Sequence, residues 1–177
     1  MTSSCDPAFA SVGDVSAALL LIDSRLKGVY DGGSSSPEQR ELAEQYLTSL
    51  GPEGAAEVLD GTCTLIYMFM TWLRRTHEAH DKDVIEYVIP GLVVSLGRMP
   101  RSVSPEVIPT MAGLVIAAGT GLSPNLWRKQ YGEWTSAEMN PLEATAFLLA
   151  EQINRITDDR AFATRMIAEA LERADGL

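Results

Sequence analysis

Residues 65–73, LIYMFMTWL, put an apolar side chain on nearly every side of a helix, so such a segment has no solvent face to offer. It has to be surrounded. The wider segment 58–73 therefore reads as the central helix of a bundle. Asp60 and Gly61 interrupt it, and its unbroken apolar part is too short to cross ~30 Å of hydrocarbon, so a membrane span is not expected.

The rest of the chain supplies helices able to surround it. Val15, Leu19, Ile22, Leu26 and Val29 recur at steps of three and four, the stripe of an amphipathic helix over 12–30. "DGGSSS" breaks that helix. Ser36, Pro37 and Gln39 then form a start signal for a helix that buries Leu42, Ala43, Tyr46, Leu47 and Leu50 and stops at Gly51, with Pro52 opening the next. Asp83 and Glu86 offer a capping box ahead of VIEYVIPGLVVSLG, where Pro90 should bend or split the helix. Ser104 and Pro105 open a further helical stretch, which ends through the glycines of AAGTGLS. A short helix or turn follows in NLWRKQYGEW. Thr135 and Glu138 form another capping box before a long helix to about residue 156. The last helix carries Phe162, Ala163, Met166, Ile167, Ala170, Leu171 and Ala174 on one face, and Gly176 is its stop.

No run alternates apolar and polar residues as a half-buried strand would. The valine and isoleucine clusters at 84–94 and 107–116 are the nearest approach, and helix signals flank both. The expected fold is all-α, a single domain over 1–177 built as a bundle of about six or seven helices. The last two should form an antiparallel pair joined by a short loop. A chain of 177 residues with 46% hydrophobic residues can bury such a core without disulfides or metals.

Composition bears on function mainly by exclusion. The formal charge is −10, with 24 acidic against 14 basic side chains, which opposes attachment to nucleic acids and anionic membranes. The charge is uneven: residues 88–132 carry four basic groups and one acidic, while both flanks are acidic. Such a middle would suit self-association or an acidic partner, although a net charge of +3 is small and ordinary variation of the surface accounts for it as well. Two cysteines, Cys5 and Cys63, give no disulfide framework, and "MTSSCDPAF" lacks the basic and apolar regions of an export signal. A cytoplasmic protein with reduced thiols is expected.

Two clusters invite a chemical reading. RRTHEAHDKD, residues 74–83, holds both histidines, with Asp81, Asp83 and Glu86 as further donors to zinc, manganese or iron. Its spacing fits neither familiar pattern, because the metalloprotease motif places histidines four apart and His77 and His80 are three apart, while Arg74 stands where a di-iron site needs glutamate. Cations at a helix C-terminus, followed by an Asp83 cap on the next helix, account for every residue. The stretch reads as a seam, with no metal or other cofactor assigned. In LWRKQYGEW, Trp127, Arg128, Tyr131 and Trp134 combine the residue types enriched at interface centres, and they form the candidate partner-binding surface. The competing reading is that these aromatics fasten a short helix to the bundle.

The expectation is thus a non-catalytic cytoplasmic protein acting by protein–protein interaction, including with a second copy of itself. The alternative is a small-molecule binder or sensor, with a pocket between segments 58–73, 84–97 and 107–118 where Pro90 and Pro109 open space. A metal-dependent enzyme using His77 and His80 ranks third. No nucleophile elbow or phosphate loop is present.

Overall fold

The structure, a computed structural model, describes residues 10–30 and 37–175, and within these the side chains of all but residues 37–53, 55 and 175. Its elements in order are α1 (Val12–Tyr30), α2 (Pro37–Glu78), α3 (Val84–Gly97), a 3₁₀ turn (Pro105–Val107), α4 (Ile108–Gly119), α5 (Pro124–Lys129), α6 (Ser136–Thr157) and α7 (Phe162–Asp175). There is no strand among the described residues, and the chain is the all-α bundle that its periodicity predicts. None of its described helices is long and apolar enough to cross a membrane.

The apolar half of α2 is the axis of the bundle. Leu65, Ile66, Phe69, Met70 and Leu73 are fully buried, and α2 packs against all six other α-helices. Burying such side chains contributes roughly 1.5–3 kcal/mol each, which is what draws the amphipathic helices around it. α1 lies along α2 and buries Val15, Ala18, Leu19, Ile22 and Leu26, and Gly61 of α2 comes close against its backbone at Asp14. Val29, placed on the same stripe by spacing, instead stands 43% exposed near the end of α1. Ala163 and Ile167 carry the buried stripe of α7, flanked by Phe162, Met166 and Leu171, and residues 158–161 link it to α6.

The stop expected at Gly51 is not there, because α2 runs unbroken through Gly51 and Pro52 for 42 residues. Glycine and proline inside a helix cost about 1 and 3 kcal/mol, local penalties that set no boundary where helix on both sides holds the backbone. The side chains expected to be buried at 42–50 lie outside the described ones, as do Ser36 and Gly176. Pro90 likewise does not split α3, which spans it as one helix. Asp83 caps that helix by accepting from the Ile85 amide at 2.9 Å. Glu138 supports the start of α6 by accepting from the Thr135 amide at 3.0 Å.

Candidate functional site

Residues 127–134 sit where α5 is tied to the middle of α2. Ser123 caps α5 by accepting from the Leu126 amide at 3.3 Å, and Pro124 occupies the first turn, where its missing donor is not needed. Asn125 donates its side-chain amide to the Asp60 carbonyl at 3.0 Å, while Lys129 pairs with the Asp60 carboxylate at 3.4 Å. α5 is therefore pinned to α2 on both sides of Trp127.

Arg128 points inward. Its Nε donates to Glu138 Oε2 at 2.8 Å and its Nη2 to Oε1 at 2.5 Å, while Nη1 and Nη2 also donate to the carbonyls of Gly132 and Glu133 at 2.8 and 3.0 Å. Both side chains of the pair are buried. The guanidinium lies 4.6 Å from the centre of the Trp134 ring. Its hydrogen bonds hold the Glu138 carboxyl below the usual carboxylate range, helped by the amide and hydroxyl of Thr135, and the same pairing raises Arg128. This group clasps the loop between α5 and α6, so its charge is spent within the chain.

The aromatics divide. Trp127 lies against Gly113 of α4, where a Cβ would come within 2.5 Å of its Cη2, and it meets the Tyr131 ring at 5.2 Å. Trp134 is half-buried, its indole Nε1 enclosed without a hydrogen-bond partner. Tyr131 alone of the four stands well out, 69% exposed. The structure brings all four together, yet three of them face the fold.

The histidine segment forms the junction of α2 and α3. His77 directs Nδ1 to the Leu73 carbonyl of its own helix at 2.7 Å, so that nitrogen carries the proton and donates. Its ring meets Tyr87 at 5.7 Å, and Lys82 Nζ lies over the same Tyr87 ring, 5.0 Å from its centre. His80 is exposed, and Asp81 turns the chain at a φ of 58°. Among the described residues no three His, Cys, Asp or Glu side chains gather as a metal-holding group.

Cys63 is buried on α2, and burial, with Asp60 adding to it, pushes its thiol far above the ordinary range. At the junction of α2, α3 and α4 the interior is filled at Gly119, where a Cβ would lie 2.6 Å from Ile85 Cδ1 and 3.0 Å from Met70 Cε. A small cavity of about 40 Å³ lies elsewhere, between α1, α2 and α6, beside Glu143. Arg25 approaches that carboxylate at 3.6 Å, but desolvation prevails and raises Glu143.

The feature that motif reasoning missed is the outer face of α3. Its exposed positions are Glu86, Tyr87, Pro90, Gly91, Val93, Val94 and Gly97, only one of them charged. Tyr87 and Val94 are each 52% exposed, and Ile156 of α6, at 45%, stands across a groove of about 380 Å³. The sequence carried a signal for it: Glu106 is the only acidic residue in 87–132. No family model, curated protein or solved structure matches the chain.

Proposed function

We propose that this protein acts through protein–protein contact, and that the partner at α3 is a second copy of the chain. The observation that carries the reading is the exposed apolar face of α3 on a protein of charge −10. Two such acidic molecules repel over most of their surface, and contact is least opposed where acids are missing. The ends of the face are complementary. Glu86 lies in the first turn, whereas Arg98 and Arg101 follow the last, with Glu86 and Arg98 six positions either side of Leu92. An antiparallel two-fold pairing of α3 helices brings the acidic end of each beside the basic end of the other, and it opposes their dipoles.

A 14-residue helix is about 21 Å long, so even with Ile156 the contact falls at the small, transient end of the interface range. Such a dimer exchanges at micromolar concentrations. The free thiol of Cys63 goes with a cytoplasmic setting.

Sedimentation velocity from about 1 to 500 µM tests this, with a reversible dimer as the expected result. Val94→Glu should leave a monomer. Arg98→Glu should weaken the dimer, and Glu86→Arg combined with Arg98→Glu should restore it. A wild-type monomer throughout would overturn the reading.

A further inference from the structure

A second groove, of about 360 Å³, runs between α1 and α7 on a different pair of helices. Its apolar lining comes from Val12, Leu19, Leu20, Ala168 and Leu171, and Leu20 is 69% exposed although its helix neighbours Leu19 and Ile22 are buried. Among the described residues, the charged ones lining the groove are Asp23 and Glu172, both acidic. Asp23 pairs with Lys27 at 2.8 Å, which offsets part of its charge, and because Lys27 is 69% exposed the offset is partial. The apolar floor and acidic edges thus belong to one channel bordered by two helices.

We infer that this groove holds an amphipathic helix of a partner protein whose apolar stripe is flanked by lysine or arginine. A third helix laid between two others buries its stripe as in an ordinary bundle contact, and the ridge offered by Leu20 is the natural anchor for it. The charge selects the partner. A basic flank gains chiefly from Glu172 and the overall charge of the chain, with a smaller part from the paired Asp23, whereas an acidic flank is repelled. A second copy is disfavoured on the same ground, and so is an anionic membrane surface.

Fluorescence anisotropy on the full chain tests the inference with two labelled helical probes of about four turns, identical in their leucine stripe. One carries lysine on both flanks and the other glutamate. The lysine probe should bind at least about tenfold tighter, and the gap should close as salt is raised. Leu20→Glu should weaken the lysine probe about tenfold or more, and Leu20→Ala only a few-fold, with unchanged thermal melting because the position is exposed. Val94→Glu should leave binding intact, which keeps this surface distinct from α3. Equal affinity for both probes, no binding of the lysine probe, or binding that survives Leu20→Glu would each overturn it. So would a wild-type dimer that Leu20→Glu dissolves, since the occupant would then be a second copy.

Discussion

Arg128 on α5 and Glu138 at the start of α6, ten residues apart, meet through two hydrogen bonds of 2.8 and 2.5 Å in a buried ion pair. Removing one partner strands the other charge in the interior. Arg128→Ala or Glu138→Ala should therefore cost about 3–5 kcal/mol in urea unfolding. Arg128→Lys should recover only part of this, since an ammonium cannot reproduce the planar two-point contact.

The same pair sets part of the acid response. Glu138 titrates lower in the folded chain than in the unfolded one, so its contribution is present above the unfolded value of about 4.5 and is lost as pH falls through the folded value. Glu143 acts with the opposite sign: its folded value is raised, so its charged form burdens the fold at neutral pH and protonation relieves it. Glu138→Gln should flatten the acid limb of a stability profile. Glu143→Gln should raise the melting temperature at pH 7 and lose that gain below pH 4.

Gly61 and Gly113 allow two close approaches. A Cβ on Gly61 would run into the Asp14 carbonyl and lie 3.1 Å from the Val15 nitrogen, both backbone atoms of α1. Gly61→Ala should cost about 1–3 kcal/mol despite alanine's better helix propensity. Gly113→Ala meets the Trp127 ring, and quenched or shifted tryptophan fluorescence should accompany its loss of stability.

Asp158 ends α6 at a φ of 52°, a conformation that suits glycine better than a side chain. Asp158→Gly should stabilise the chain by up to about 1 kcal/mol, less the entropy glycine adds to the unfolded state. Chemical denaturation of the two forms checks it.

Cys63 should be inert while the fold is intact. In a Cys5→Ser chain, a thiol reagent should react at the rate of global opening, and denaturant should accelerate it steeply. Prompt labelling under native conditions would show that α2 opens locally.

The architecture was readable because burial repeats at the period of a helix. Residues 65–73 announced a surrounded helix, Thr135 and Glu138 announced the start of α6, and Ala163 and Ile167 fell on the face that spacing assigned them. Boundaries were harder, as Gly51 and Pro52 show, since a breaker acts locally and neighbouring helix can override it. At 127–134 the residue types marked a cluster that does assemble, but composition cannot say whether an arginine faces water or a carboxylate ten residues away.

By itself the sequence determined the all-helical class, the central place of 58–73, and an acidic surface with a gap over 87–132, because periodicity and charge are properties of the chain alone. Only the tertiary structure decided which polar and apolar groups were left for partners. It folded Arg128 inward onto Glu138 and turned Tyr87, Val94 and Leu20 outward, because exposure depends on which helix packs across each face, and that is fixed only when the other six described helices have closed around α2.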